Sequence, residues 1–420
     1  MRIWLIKAGE PLPIDGNGER LMRTGLLAEA LLSRGHEVVW WTSSFVHRHK
    51  IFRCHTDKYV DVSRKYRIWM LHGMPYKKNV SIHRIINHHT LARKFAYYSR
   101  EADKPDIILC SFPTIEFASV ATRYGIKNKI PVVLDFRDLW PDIFFNGVPS
   151  WLRTIIYPVL WPMFRSVRKS CERARSICGI TPQFVEKGIG YAGRSVSIYD
   201  RCFPLAYRKK EPDNTAIVRA EKFWRGLGIF PNCGKYFICY IGSLSSRMEL
   251  RSFIETACTV NSKRNDSVFI ICGAGEEFEN CKAWAQGDRN IVFSGWVGQA
   301  EIWTLMKMAH IGVIPYPSTE DFMTSIPNKV VEYLAGGLAI ISSIKGVLQE
   351  ILTRHKCGIT YENNNSLQLA SIINGLLEHP ERITVMAQNA RLLFKDRFMA
   401  ERVYEEMSEF LEILAEEHFN

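Results

Sequence analysis

Short apolar runs alternate along this chain with stretches whose apolar positions recur every three or four residues, the pattern expected of buried parallel strands and the helices that cover them. Residues 3–6 form the first run. A turn-rich loop follows, then residues 19–33 carry Leu21, Leu26, Leu27, Ala30 and Leu31 at helical spacing. Arg34-Gly35-His36 closes that helix before a strand at 37–42, which completes a β-α-β unit. Further strands are expected at 106–110, 131–135 and 176–180, with a helix at 114–124. Residues 148–175 read as an apolar, Trp-bearing face running into Arg165, Arg168, Lys169, Arg173 and Arg175, with Pro158 and Pro162 breaking any single long helix. That segment suits either a core helix or an amphipathic segment lying in a membrane interface.

From 201 to 234 the pattern turns irregular through Pro204, Pro212, Asp213 and Pro231. Strands then restart at 236–240, 268–272, 291–293, 311–316, 339–342 and 358–361, and helices follow from Leu367 to the end. A chain of 420 residues exceeds what one hydrophobic core usually serves. Two domains are therefore expected, 1–203 and 204–398, with a last helix in 399–420.

With 47% apolar and 23% charged residues the composition is that of an ordinary folded protein, and its net charge is +12. Residues 46–100 hold thirteen Lys/Arg against Asp57 and Asp61, together with seven of the twelve histidines and many aromatics. Such a stretch suits an anionic membrane surface first, then an anionic acceptor, then nucleic acid. The pairs His47/His49 and His88/His89 lack accompanying cysteine or carboxylate spacing and are expected on an exposed basic surface, with no metal. Eleven cysteines without a CxxC pair, and a chain opening directly on a strand, point to a reduced, cytoplasmic protein. No apolar stretch is long enough to span a bilayer.

Chemistry concentrates in Ser325-Ile326-Pro327-Asn328-Lys329-Val330-Val331-Glu332-Tyr333-Leu334-Ala335-Gly336-Gly337. Pro327 suits the first turn of a helix and Gly336-Gly337 its end. Free amides and the positive dipole end at that start favour a phosphate, with Ser325, Asn328 and Lys329 adding donors. One turn deeper, Glu332 can accept two hydrogen bonds from a ribose diol. Gly242, Ser243 and Arg247 after the strand at 236–240 suit the other side of a diphosphate. Gly16-x-Gly18 serves either phosphate contact, acceptor positioning or a tight turn. Leu21 in place of a third glycine argues against a nicotinamide cofactor. Arg137 and Asp138 stand at the carboxyl end of a buried strand, where open α/β sheets place ligands; a buried structural ion pair is the other reading.

The 325–337 stretch resembles the donor motif of family 4 glycosyltransferases, in the branch with a Ser-x-Pro-x-Lys-x-x-Glu pattern found in bacterial polysaccharide assembly. Arg137-Asp138-Leu139-Trp140-Pro141 resembles a second segment of that branch. Many members pair two glutamates; Glu332 matches the second, whereas the first falls on Thr324, with Glu320 and Asp321 just before it, leaving open what touches the sugar ring. The resemblance implies a GT-B α/β fold, two Rossmann-like parallel-sheet domains facing across a cleft, with the last helix packing back on the first. It implies retaining, metal-independent transfer from a UDP-, GDP- or dTDP-sugar to a saccharide acceptor, lipid-linked in surface polysaccharide synthesis, while the basic 46–100 stretch and the 148–175 segment together suggest a protein held peripherally at the inner face of the plasma membrane. Catalytic roles then fall to Asp138, Arg247 and Lys329. Substrate contacts fall to Gly16, Gly18, Arg137, Gly242, Ser243, Gly275, Trp296, Val297, Thr324, Ser325, Ile326, Asn328 and Glu332. Gly275, Trp296 and Val297 belong to the loops expected to hold the base, although Trp296 suits packing equally. Competing readings are a nucleotide-sugar 2-epimerase of the same fold and a basic nucleic-acid-binding protein, for which no helix-turn-helix, zinc or RNP pattern is present.

Overall fold

The computed structural model describes every residue except 17–19, 48, 79–80, 146–147 and 420. It divides into two units, Met1–Pro204 with Ala400–Asn420, and Leu205–Met399.

The first unit runs β1 (Arg2–Ile6), α1 (Arg23–Ser33), β2 (Glu37–Ser43), β3 (Phe45–Val46), β4 (Ile51–Phe52), β5 (Lys58–Ser63), β6 (Tyr66–Leu71), α2 (Ile82–Tyr98), β7 (Ile107–Ser111), α3 (Ile115–Asn128), β8 (Val132–Phe136), α4 (Ser150–Arg173), β9 (Ser176–Gly179), α5 (Pro182–Ala192) and β10 (Arg201–Cys202). Its main sheet has the order β10-β9-β8-β7-β1-β2-β6-β5. Every pairing in it is parallel except that of β5, which lies antiparallel against β6 at the edge. The strand order reverses around β1, between β2 and β7, the point at which open sheets leave a crevice outside their carboxyl ends. Beneath the sheet Trp4 meets Trp41 edge-on at 5.2 Å, and both meet Phe95 of α2. Edge-on pairing of this kind adds to the burial of three large rings.

The second unit runs α6 (Asn214–Gly226), β11 (Tyr236–Ile241), α7 (Leu250–Asn261), β12 (Ser267–Cys272), α8 (Phe278–Trp284), β13 (Ile291–Gly295), α9 (Gln299–Met308), β14 (Ile311–Ile314), α10 (Glu320–Met323), α11 (Asn328–Gly336), β15 (Ala339–Ser342), α12 (Val347–Arg354), β16 (Gly358–Thr360), α13 (Ser366–Glu378) and α14 (Pro380–Arg397). Its wholly parallel sheet, β13-β12-β11-β14-β15-β16, reverses between β11 and β14. The chain then re-enters the first unit as α15 (Ala400–Phe419).

Three local expectations are corrected, and the basic stretch is given its place. Residues 148–175 hold one continuous helix, with both prolines inside α4. Pro158 and Pro162 are one turn apart on its exposed side, so water can satisfy the carbonyls that lose their amide partners. The first helix begins at Arg23, after non-helical Arg20, Leu21 and Met22. The 201–234 stretch contains α6, capped by Asp213, whose carboxylate accepts from the Ala216 amide at 2.8 Å, and fixed by Trp224, whose indole donates to the Glu301 carbonyl at 2.9 Å. The basic 46–100 stretch is built into the fold as β3 to β6 and α2, and its two acids sit within it: Asp57 binds Lys94 at 2.9 Å and Asp61 binds Arg67 at 2.6 Å.

Within the first unit α15 is clamped to the end of α1. Arg34 reaches Glu405 and, at 2.6 Å, Glu412, which also takes a 2.6 Å contact from His36. Arg34's hydrogen bonds outweigh the opposing effect of burial, His36 adds to them, and the Glu412 carboxyl falls from 4.5 to about 2. Because the folded value is depressed, this stability is present above pH 4.5 and is lost as pH falls toward 2. Urea unfolding of the parent protein is expected to show about 1–2 kcal/mol of such loss between pH 6 and 3 that Glu412→Gln lacks, the small figure allowing for solvent screening.

Candidate functional site

At the point where the second sheet reverses, three loops and one helix start come together. Glycine makes their approach possible. Gly242 donates to the Cys272 carbonyl at 3.0 Å, Leu244 to Ala274 at 3.1 Å and Gly273 to Gly295 at 2.8 Å. A Cβ on Gly273 (φ +151°) would stand 1.8 Å from the Gly242 carbonyl oxygen, and one on Gly275 (φ +159°) 2.1 Å from that of Leu244. No side chain fits there. Tyr240 donates to the Ser243 carbonyl at 2.8 Å, and Glu276 accepts from the Ser246 hydroxyl at 2.7 Å, so the loop carrying Ser243 and Arg247 is pinned at both ends.

Helix α11 has Pro327 as its cap residue and Gly337 in the left-handed region (φ 71°) beyond its end. Its depth is set by Tyr333, whose hydroxyl accepts from the Ile241 amide at 2.9 Å, while its ring fills the space over Gly312. The amphipathic spacing that forms the helix thus also fixes it beneath the end of β11. Glu332 is 3% exposed, and Lys329 donates to its Oε2 at 2.9 Å. Burial pushes the Cys239 and Cys272 thiols up, and the Lys329 charge acts against it on both. Asn328 is exposed, Ser325 and Thr324 are half-buried, and Ile326 is core. Thr324 donates to the Glu320 carbonyl at 2.7 Å. Arg247 pairs with Asp321, and its guanidinium lies 4.6 Å over the Phe322 ring. Trp296 stands 64% exposed after β13, whereas Val297 is buried.

In the first unit the expected residues separate. Arg137's side chain is buried, its Nε donating to Asp135 at 2.5 Å and the rest of its guanidinium to Glu10 and the Thr24 hydroxyl. The side chain expected to reach substrate is committed to the fold. Asp138 stands beside it and accepts from the Leu139 amide at 2.8 Å. Gly16 has a positive φ of 94° in open space, as a turn residue does; Gly18 lies outside the described residues. Lys7, which the sequence reading passed over, directly follows β1. Burial and then Arg137 lower its ammonium to about 8, against the pull of Glu10, Asp138 and Asp135. A charged residue immediately past a buried strand was the available signal.

With this geometry established, residues 229–393 match the family Glycosyl transferases group 1. No curated protein matches the chain by sequence. Among solved structures, sucrose-phosphate synthase from Thermosynechococcus elongatus is similar at 16% identity and TM-score 0.71, covering 98% of each chain. HepE from Anabaena in complex with UDP is similar at 14% and 0.66, covering 98% of this chain and 99% of that one. WaaG, a glycosyltransferase involved in lipopolysaccharide biosynthesis, is similar at 14% and 0.65 with the same coverage. The fold is GT-B. The matched segment contains β11 to β16 with the loops of the second unit described above, and the enzyme is a glycosyltransferase.

Lys329 and Glu332 form a coupled pair in this GT-B unit. Lys329→Met is expected to cost about 2–3 kcal/mol in calorimetric unfolding, because it leaves a buried carboxylate without its ammonium. Lys329→Met with Glu332→Gln is expected to cost at least about 1 kcal/mol less than the single change.

Proposed function

We propose that the protein moves a sugar, with retention of configuration, from a nucleoside-diphosphate sugar held by the second unit to a saccharide acceptor held by the first. The observation that carries this is the start of α11, with Lys329 and buried Glu332, beside the glycine-lined ends of β11 and β12. Helix-start amides, Lys329 and Arg247 neutralise the two phosphates and stabilise the leaving group. Arg247 must exchange Asp321 for phosphate as donor enters. Glu332 takes the ribose hydroxyls, and Trp296 and Val297 border the base. Ser243, Thr324, Ser325, Ile326 and Asn328 line the donor, with no divalent metal needed for the charge. A donor phosphate oxygen accepts the acceptor's proton, while Asp138 holds acceptor or sugar hydroxyls.

A lipid-linked acceptor and a place at the inner face of the plasma membrane, in surface polysaccharide assembly, complete the reading. Trp151, Ile155 and Val159 of α4 support it: they lie one turn apart and are 67%, 62% and 77% exposed, with Arg165 and Lys169 further along the same helix. Among the described residues no helix is long and apolar enough to cross a membrane.

UDP, GDP or dTDP is expected to raise the melting temperature, since a ligand of the native state alone stabilises it. Glu332→Ala should remove that rise; a variant that keeps it has no ribose role at this position. Co-sedimentation with anionic vesicles should drop roughly tenfold in Trp151→Ala/Val159→Asp, since both lost anchors are apolar. Undiminished binding by that variant would take α4 out of the membrane reading.

A further inference from the structure

The first unit holds a group of cations that donor binding does not use, around the point where its sheet order reverses. Lys7 follows β1, Lys50 lies between β3 and β4, and Arg84 is in the first turn of α2. Lys50 and Arg84 lie against an aromatic wall. The Lys50 ammonium is 4.9 Å from the Tyr76 ring centre, and the Arg84 guanidinium is 6.0 Å from that ring and 4.7 Å from that of Trp140. Both rings are buried, and Phe45 and Phe144 pack against them. His47 shares a 2.7 Å hydrogen bond with the Tyr76 hydroxyl and lies 3.5 Å from the Lys50 ammonium. His88 is buried 6.1 Å from Trp140, with Nδ1 3.6 Å from Glu116. The expectation of exposed histidines is thereby corrected for both: tertiary packing places them inside the basic stretch, behind its outer face.

Charge is crowded here. His47 is pushed down to about 4, by burial and then by Lys50, Arg84, Lys7 and His88. Burial and then Arg84 lower Lys50; burial also lowers Arg84, against Tyr76, Asp138 and Glu116. Of the nearby acids, Glu10 is taken by Arg137 and the Thr24 amide, Glu116 faces His88 and His89, and Asp138 attracts both Lys7 and Arg84. Among the described residues no hydrogen-bond acceptor holds the Lys7 ammonium. Arg84 repels Lys50, and both act with Lys7 on His47; half-buried cations so placed gain most from a multivalent anion, which a guanidinium can also grip in two places.

We infer that Lys7, Lys50 and Arg84, backed by Tyr76 and Trp140, form a binding site for a phosphate or diphosphate group carried by the acceptor. The inference rests on the sugar-transfer reading for the word acceptor, while the anion site itself stands on the first unit alone. The test titrates the full-length protein, saturated with UDP so that donor phosphate sites are filled, with inorganic pyrophosphate. A parallel arm uses phosphatidylcholine vesicles containing phosphatidic acid. Lys50→Gln/Arg84→Gln is compared with the parent, and its UDP-induced melting shift checks that it folds. A loss of roughly tenfold or more for pyrophosphate assigns the site to a soluble phosphate. A loss of that size confined to the vesicles assigns it to a lipid-borne one. Equal binding by parent and variant in both arms overturns the inference. If UDP gives no shift even in the parent, the sugar-transfer reading fails, and the same comparison without nucleotide still decides the anion site.

Discussion

The first unit depends on one carboxylate. Asp135, next to last in β8, has no exposure to solvent, and a lone charge in that position would cost several kcal/mol. Burial opposes its ionisation, but Arg23 and Arg137 outweigh that and hold it well below the usual carboxylate range. Each partner brings a different part of the chain. Arg23 comes from the start of α1 and also donates to the carbonyls of Phe203 and Pro204 at 2.9 and 3.0 Å. Arg137 adds Glu10 and Thr24. The loops at the carboxyl ends of β1 and β8, where Lys7 and Asp138 stand, are thus fixed by satisfied charge.

The second unit reaches the same end by backbone approach. Gly242, Gly273 and Gly275 let three loops bond to one another directly, and Gly312 lets Tyr333 seat α11 under β11. Cationic groups there are held by acids of the same unit, Lys329 by Glu332 and Arg247 by Asp321. Those two pairs differ in consequence. Glu332 is buried, so removing Lys329 would leave a charge inside the unit, whereas the half-exposed Arg247 can exchange its partner at little cost.

Positive charge in the first unit is spent in three ways. Arg53 anchors the Asp15 turn at 2.5 Å, and Lys94 and Arg67 neutralise the only two acids of their stretch. Lys50 and Arg84 line an aromatic wall. Lys58, Arg64, Lys77, Lys78, Arg93 and Arg100 remain at the surface. A net surplus read from composition therefore overstates the charge offered to any external partner, and only placement shows which cations stand together.

The strand and helix alternation was legible in the sequence because parallel strands are buried on both faces and read as unbroken apolar runs. Helix α11 was legible because Pro327 and Gly336-Gly337 specify its ends by their own backbone preferences. Other elements were hidden for physical reasons. Strand β5 is exposed along almost its whole length, and its brief alternation at Val60 and Val62 buries no face. Helix α4 survives two prolines only because they face water. The stretch after residue 201 showed its prolines more strongly than the spacing of Ala220 and Trp224 that makes α6. The sequence could propose Arg137, Arg247 and Lys329 as charged groups near strand ends, since residue type and local position carry that much. Which acid each of them meets was decided by tertiary structure: Glu10 lies 127 positions from Arg137, and Asp321 lies 74 from Arg247. Local periodicity holds no record of such pairs, and folding alone fixes whether a cation is spent inside the protein or kept for a ligand.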